Sequence, residues 1–118
     1  MNTRKTGAEY EEMAARYLKE QGYQILERNY KNRFGEIDIL AQKDPELVVV
    51  EVKYRSTSCH GDPLEAVDAR KQRKICHTAS YYYMMHGIAE NVPCRFDVIA
   101  INGDGTLRHE KNAFEFQT

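Results

Sequence analysis

The feature that most constrains the fold is a run of β-branched residues in the middle of the chain, residues 47–54, where Val48, Val49 and Val50 follow one another. Such side chains favour strands, and a run this apolar is typical of a strand at the centre of a sheet. Glu51 and Lys53 interrupt the run, so two ionisable groups are expected within an otherwise apolar strand. Burial of such groups is costly unless they are paired or bound to an ion.

Two further strands are predicted before this run, over residues 23–30 and 34–41. The connections that follow them are short and turn-like: Asn32-Arg33 after the first and Lys43-Asp44-Pro45-Glu46 after the second. Short turns join antiparallel neighbours, so the three strands are expected to form an antiparallel meander.

A first helix is predicted over residues 6–21, before the meander. Thr6 and Glu9 have the spacing of a capping box, and Gly22 stands where a helix commonly ends. Tyr10, Met13, Ala14, Tyr17 and Leu18 form its apolar stripe.

A second, longer helix is predicted after the meander, from an N-cap at Asp62, with Pro63 at its first helical position, to about His86. Apolar or inward positions recur at helical spacing at Leu64, Val67, Ile75, Thr78, Tyr82 and Met85. A strand over residues 94–102, a turn at Gly103-Asp104-Gly105 and a returning strand over residues 106–111 complete the chain.

The resulting order is α-βββ-α-β-β, which predicts an α/β fold with helices packed on a mixed sheet. The helix between the third and fourth strands favours a parallel crossover there. Without repeats, low-complexity stretches or a linker, residues 1–118 are expected to form a single domain.

Ionisable residues on the second and third strands form the candidate chemical site. Side chains alternate along a strand, so Glu36 and Asp38 share one face of the second strand, and Glu51 and Lys53 share one face of the third. If Asp44-Pro45 is the centre of the hairpin, Asp38 lies opposite Glu51. A turn centred on Pro45-Glu46 would instead place Asp38 opposite Lys53, and both registers put these groups on one face.

A divalent cation would resolve the electrostatic conflict of this arrangement. Like charges on neighbouring strands destabilise a sheet, and half-buried carboxylates need a partner. Two carboxylates suit Mg²⁺, which keeps part of its water shell, and Lys53 could then orient a water or stabilise charge on phosphorus. The alternative is structural: a Glu36–Lys53 surface ion pair, with Asp38 at a solvated strand end.

The segments that carry these ionisable residues resemble those of known families. Gly35-Glu36-Ile37-Asp38 followed by Val50-Glu51-Val52-Lys53 resembles the core of the PD-(D/E)xK, restriction-endonuclease-like nucleases. The chain is also similar to the YraN-like family of small uncharacterised bacterial proteins, and in layout to archaeal Holliday-junction resolvases. The segments that carry the YraN-like resemblance are Asn29-Tyr30, residues 60–67, Arg95-Phe96-Asp97-Val98 and Asn112-Ala113-Phe114.

The resemblance implies roles for individual residues. Asp38 and Glu51 would be metal ligands, Lys53 the catalytic lysine, and Glu9 a further carboxylate of the site supplied by the first helix. The capping box explains Glu9 equally well. Ile37 stands where the superfamily name has proline, a departure that occurs often among such nucleases.

Basic residues near the site are candidates for binding nucleic acid. Lys71 lies on the inward stripe of the second helix, four residues from both Val67 and Ile75, and could point toward the carboxylates or only lay its stem on the core. Lys74 belongs to the same basic cluster, and Arg33 and Arg55 stand near the ends of the candidate strands. The alternative is that these residues are solvated surface charges.

Composition narrows the function classes further. The net charge of −1 does not by itself indicate a nucleic-acid binder, so any DNA-binding face must come from local clusters. The three cysteines, Cys59, Cys76 and Cys94, indicate no disulfide framework. No apolar segment is long enough to span a membrane and no secretory signal opens the chain, so a cytoplasmic location is expected. A nucleotide-dependent metabolic enzyme finds no support, because no glycine-rich phosphate-binding motif is present.

Two hypotheses follow. The first is a Mg²⁺- or Mn²⁺-dependent DNA endonuclease, selective for branched DNA and acting in repair or recombination. Related resolvases are dimers, and the bulky run Tyr81-Tyr82-Tyr83-Met84-Met85 could supply a subunit contact or be buried within one chain. The second is a non-catalytic module that keeps the nuclease fold and binds nucleic acid or a protein.

Overall fold

The fold is a five-stranded mixed sheet with one helix on each face, described here from a computed structural model for residues 7–55 and 67–117. The strands lie in chain order across the sheet. The elements are α1 (Gly7–Glu20), β1 (Gln24–Asn32), β2 (Gly35–Lys43), β3 (Glu46–Arg55), α2 (Ala69–Met85), β4 (Cys94–Asn102) and β5 (Leu107–Phe114). This confirms the predicted order of elements.

The pairing of the strands agrees with the lengths of their connections. β1, β2 and β3 are antiparallel neighbours, β3 and β4 are parallel, and β5 returns antiparallel to β4. The parallel β3–β4 pair confirms the crossover expected from the helix between them. β3 is the central strand, and its residues 47–51 are all buried.

Two hydrophobic cores lie on the two faces of the sheet. On one face α1 contributes Ala14, Ala15 and Leu18, which pack on a set of strand residues: Ile39, Ala41, Val48, Val50, Ile99 and Ile101. On the other face α2 contributes Ile75, Cys76, Ala79 and Tyr82, which pack on Leu40, Val49, Phe96 and Val98. The alternation of strand side chains assigns successive residues of β3 to opposite cores, as the apolar run predicts.

The first helix ends as its sequence predicts. Gly22 has φ +90°, a conformation that other residues adopt at a cost, and the amides of Gly22 and Tyr23 donate to the carbonyls of Lys19 and Leu18 at 3.0 and 2.9 Å. These are the two hydrogen bonds of a Schellman motif, so Gly22 occupies the C′ position. Thr6, the predicted capping residue, lies outside the described residues.

The second helix begins later than predicted. Val67 and Asp68 are not helical, and the helix starts at Ala69 with Asp68 as its N-cap, the Asp68 carboxylate accepting from the Lys71 amide at 2.9 Å. Asp62, Pro63 and Leu64 lie outside the described residues. The helix does end near His86, as predicted, but Met85 is 60% exposed rather than inward.

The Tyr81–Met85 run divides between core and surface. Tyr82 is buried, whereas Met84 is 67% exposed beside Met85. The subunit contact proposed for this run stays a prediction.

Cys76 and Cys94 are free thiols, as expected, and Cys59 lies outside the described residues. In the part of the chain that the structure describes, no helix is long and apolar enough to cross a membrane.

Candidate functional site

The site lies where β2 and β3 separate, on the face of the sheet covered by α2. The β2–β3 ladder pairs Lys43 with Glu46 and continues to Ile39 opposite Val50. This is the register of a hairpin centred on Asp44-Pro45, one of the two registers considered from the sequence. It brings Asp38 next to Glu51.

Beyond Ile39, the carboxylates of Asp38 and Glu51, rather than backbone carbonyls, accept hydrogen bonds from the opposite strand. The Val52 amide donates to Asp38 Oδ2 at 2.8 Å, and the Asp38 amide donates to Glu51 Oε2 at 3.4 Å. Each carboxylate therefore binds an amide of the opposite strand. Strand alternation is interrupted at the same place, because Ile37 and Leu40 both pack in the α2-side core while Ile39 packs in the other.

Burial makes the two carboxylates electrostatically unusual. Glu51 is 2% exposed, and its burial together with the nearby charge of Asp38 raises its pKa to about 7. Burial also raises the pKa of Asp38, although the Val52 amide and two lysines partly oppose this change. A positive charge at this point, from a lysine or a cation, would favour the ionised form of both groups.

Two lysines supply positive charge to the carboxylates. Lys71 Nζ lies 3.5 Å from Glu51 Oε1, which confirms that this α2 residue points inward to the site. Burial and a hydrogen bond to Lys71 lower the pKa of Lys53. Partial burial of Lys71 acts to lower its pKa, but the hydrogen bond to Lys53 and the charges of Glu51 and Asp38 outweigh that effect and raise it. The structure therefore brings Asp38, Glu51, Lys53 and Lys71 together.

The carboxylates open into a cleft of about 550 Å³ between the sheet and the start of α2. Its lining combines the two carboxylates with three basic residues that could contact phosphate, Arg70, Lys71 and Lys74. Gly35, Glu36, Asp68 and Ile75 complete it. Lys74, predicted to bind nucleic acid, thus lies in the cleft. Arg70 was missed as a site residue, although it belongs to the same basic cluster of the sequence.

Glu9 is not grouped with the carboxylates of the cleft. It is exposed in the first turn of α1, and no cluster of three or more His, Cys, Asp or Glu side chains suited to a metal occurs among residues 7–55 and 67–117. Glu11 is the α1 residue whose charge interacts with Asp38, and its pKa is raised, first by burial and then by Asp38. A catalytic role for Glu9 stays a prediction. Glu11 was not singled out because the capping-box and superfamily patterns both direct attention to Glu9.

The remaining candidates, Arg33 and Arg55, are not among the residues that line the cleft. Arg33 sits in the β1–β2 turn with its guanidinium 5.4 Å from the centre of the Phe34 ring. Arg55 Nε donates to Asn102 Oδ1 at 3.2 Å, so this side chain reaches across to β4. Within the described ranges, the Glu36–Lys53 ion pair considered from the sequence does not form, and Glu36 Oε2 lies 3.9 Å from Lys31 Nζ instead.

The chain matches one protein family and several bacterial relatives. The family described as "Uncharacterised protein family UPF0102" matches residues 10–101. A UPF0102 protein of Lachnoclostridium phytofermentans is 50% identical over 115 residues, covering 98% of this chain and 97% of the relative. UPF0102 proteins of Fusobacterium nucleatum and Persephonella marina are 47% and 43% identical, covering 88% and 92% of this chain and 87% and 92% of the relatives. These matches confirm the resemblance to the YraN-like family.

Proposed function

We propose a function on the premise that the chain belongs to the UPF0102 family: it is a metal-dependent DNA endonuclease whose centre is Asp38, Glu51 and Lys53. The observation that carries the proposal is the convergence of a buried carboxylate, Glu51, a half-buried one, Asp38, and two lysines at the point where β2 and β3 separate. Structural charges on a sheet are seldom placed where each raises the cost of burying the other.

The donor set fits a hard divalent cation. Two carboxylates would hold Mg²⁺ or Mn²⁺, with water and a substrate phosphate completing its coordination, as is usual for Mg²⁺ at phosphate-transfer sites. When bound, such an ion would polarise the phosphodiester and lower the pKa of a bound water. Its charge would also offset the repulsion between Asp38 and Glu51.

The two lysines would act on the substrate rather than on the fold alone. Lys53 Nζ would orient the attacking water or stabilise the charge that develops on phosphorus. Lys71, whose Nζ lies 3.5 Å from Glu51 Oε1, would hold the scissile phosphate, and Arg70 and Lys74 would bind flanking phosphates. DNA is the proposed substrate because the E-x-K strand resembles that of DNA nucleases.

Selectivity for branched DNA, and a role in repair or recombination, rest on the likeness in layout to archaeal Holliday-junction resolvases. A homodimer would then supply the two centres that symmetric cutting of a junction requires. The selectivity for branched DNA and the homodimer are additions to the proposed nuclease. Evidence against either would leave the proposed active centre unchanged.

The activity is tested with the Asp38→Asn and Lys53→Ala variants on forked, four-way and linear DNA, with Mg²⁺ or Mn²⁺. Each variant is expected to lose about a hundred-fold or more in cleavage rate, because loss of one preorganised charged group commonly costs that much. Lys111→Ala, at an exposed lysine of β5, is the matched control and should cut at the wild-type rate. Cleavage that persists at that rate in both site variants would contradict the proposal.

A non-catalytic nucleic-acid-binding module is the second candidate, and one observation favours it. Lys71 already places positive charge 3.5 Å from Glu51, so the carboxylates have a counter-charge without a metal. This hypothesis expects DNA binding that is unaffected by EDTA and steeply dependent on salt. Calorimetric titration with Mn²⁺ separates the two, because the nuclease requires heat of binding that Asp38→Asn abolishes.

A further inference from the structure

The β1–β2 turn, Asn32–Gly35, is fastened to the middle of α2. Asn32 Nδ2 donates to the Thr78 carbonyl at 3.1 Å, and Asn32 Oδ1 accepts from the Phe34 amide at 2.9 Å. Gly35 approaches the helix so closely that a Cβ atom there would lie 2.9 Å from Thr78 Oγ1. These contacts hold the backbone of Phe34 in one place beside the helix.

The Phe34 side chain lies in an aromatic cluster that is open to solvent. Its ring is 39% exposed and lies edge-on to His77 of α2, with ring centres 6.1 Å apart, and 5.5 Å from the ring of Tyr81. His77 is itself exposed. The Arg33 guanidinium lies over the Phe34 ring, 5.4 Å from its centre, so a group that stacks on that face takes the place of this cation. An aromatic ring that contacts two rings of α2 at its edge, already has a cation over one face and is reachable from solvent is suited to stack a planar group.

Basic residues of α2 lie near this cluster and reach into the cleft, where they face the carboxylates of Glu36, Asp38, Glu51 and Asp68. Four of the first six residues of α2 are basic, within the segment Ala69-Arg70-Lys71-Gln72-Arg73-Lys74, and three of these four are exposed. Gly35, next to Phe34, lines the cleft together with Lys74. Stacking groups beside a row of cations match a base and its phosphates better than they match an apolar peptide.

We propose that Phe34 is a stacking platform for an unpaired DNA base, with the phosphates on either side of that base bound by Arg33 and Lys74. The choice of DNA rests on the proposed function, whereas the stacking site rests on the geometry of the turn and α2. In a continuous duplex the bases are stacked on one another, so the platform favours DNA with a single-stranded segment next to the scissile phosphate. This would give the enzyme its preference for a fork or junction over linear duplex.

The test measures binding in EDTA, where no cleavage occurs, to a fluorescently labelled fork and to a linear duplex of the same length. Phe34→Leu keeps an apolar side chain but removes the ring, and is expected to bind the fork about ten-fold more weakly, in line with the loss of one base–aromatic stack. Phe34→Tyr, which keeps an aromatic ring, should bind the fork as tightly as wild type does. Phe116→Leu is the matched control, since Phe116 is 52% exposed and lines a separate pocket beside the C-terminal part of α2.

A measurement on the wild-type protein avoids dependence on any variant. With 5-iodouracil in the single-stranded arm of the fork, illumination should cross-link the DNA to Phe34 or to the adjoining rings of His77 and Tyr81. Cross-links confined to other segments would overturn the proposal, as would a Phe34→Leu variant that binds the fork like wild type or loses duplex binding equally.

The failure of this inference and that of the proposed nuclease can be told apart. Fork binding that depends on Phe34 in a protein that cuts no DNA would contradict the nuclease and leave the stacking platform standing. Cleavage abolished by Asp38→Asn, together with unchanged fork binding by Phe34→Leu, would contradict only the platform.

Discussion

Glu51 is a buried acid in a strand whose neighbours are valines, and its carboxylate lies beside Asp38. Its folded-state pKa of about 7 lies above the usual value for glutamate, so the folded protein takes up a proton more readily than the unfolded chain. Stability is therefore favoured by low pH and declines as pH rises through the window from the unfolded value to about 7. Above that window Glu51 is ionised and its desolvation opposes folding.

Replacement of Glu51 by Gln should therefore change how stability depends on pH and on metal. In EDTA, the wild-type thermal midpoint should rise when the pH is lowered from about 8 to about 5.5, and Glu51→Gln should respond less, because the amide does not titrate. Addition of Mg²⁺ at pH 8 should stabilise wild type but not Glu51→Gln. Thermal unfolding followed by circular dichroism is the measurement.

Glu36→Gln serves as the control for this prediction, because Glu36 lines the same cleft but is exposed. It should keep the wild-type dependence on pH. An equal response of wild type and Glu51→Gln to pH would show that the buried acid does not govern stability in this range.

At the residue scale, the sequence was sufficient where one local rule decided the geometry. Strand alternation and an apolar background predicted that Asp38, Glu51 and Lys53 converge. Helical spacing left two positions open for Lys71, and the structure places it beside Glu51. The roles of Glu11 and Arg70 could not be predicted in that way. They depend on how each helix is rotated and tilted against the sheet, which is set by packing between segments distant in the chain.

The start of α2 is the element on which the cleft depends most. Its first turn carries Lys71, and the Asp68 carboxylate caps that turn by accepting from the Lys71 amide at 2.9 Å. The cap thus controls both the helix and the position of the lysine nearest Glu51. Gln72 adds to this anchoring, because its Nε2 donates to the Val67 carbonyl at 2.9 Å.

Asp68→Ala should lower the free energy of unfolding by about 1 kcal/mol, the usual cost of losing an N-cap side chain. Asp68→Asn should retain most of the stability, because the Asn side-chain oxygen can accept the same hydrogen bond. Urea denaturation of both variants measures the difference. Equal stability of Asp68→Ala and wild type would mean that the cap contributes nothing to α2.

The element boundaries show where sequence patterns compete. Asp62-Pro63 and Asp68 are both acceptable helix starts, and the local pattern favours the first because proline follows it at once. The structure uses Asp68, with Val67 buried against α2 and the sheet. The two signals have similar local strength, so the sequence pattern alone does not determine where α2 begins. The bounds of β1 to β4 lie within two residues of those predicted, because most of their ends coincide with short turns, whose geometry is local. The last strand was predicted to end at residue 111, but β5 runs to Phe114.

At the scale of the whole molecule, Asp97 joins most of the elements on the α1 side of the sheet. This fully buried carboxylate accepts from Arg95 of β4, from His109 and from the backbone amide of Asn112 in β5. Arg95 extends the network to Tyr23 and to Glu46 at the start of β3, and Tyr17 of α1 hydrogen-bonds His109. Because each polar group in it has a partner, we interpret the network as structural.

Asp97→Asn should destabilise the protein by about 3 kcal/mol, because the amide nitrogen would face donors that it cannot satisfy. Burial acts to raise the pKa of Asp97, but hydrogen bonds from His109, Arg95 and Asn112 outweigh it and lower that pKa. The stability contributed by this acid is therefore present above its unfolded value of about 3.9 and is lost as pH falls through the lower folded value. Urea denaturation at neutral and acidic pH measures both effects.

Asp104→Asn is the control, because Asp104 is an exposed acid of the β4–β5 turn whose pKa is lowered by hydrogen bonds from Thr106. Its loss should cost much less than the loss of Asp97. A similar cost for the two variants would indicate that the Asp97 network contributes no more than a surface turn.

The carboxylates of the cleft also replace the backbone pairing that β2 and β3 give up beyond Ile39, and this double duty has an evolutionary consequence. Natural selection acts on Asp38 and Glu51 twice, once for any reaction they support and once for the amides they satisfy. A descendant that abandoned the reaction would still be selected to keep both acids, whereas Lys53 would be free to drift. Among relatives, the lysine is therefore the position whose retention or loss should track activity.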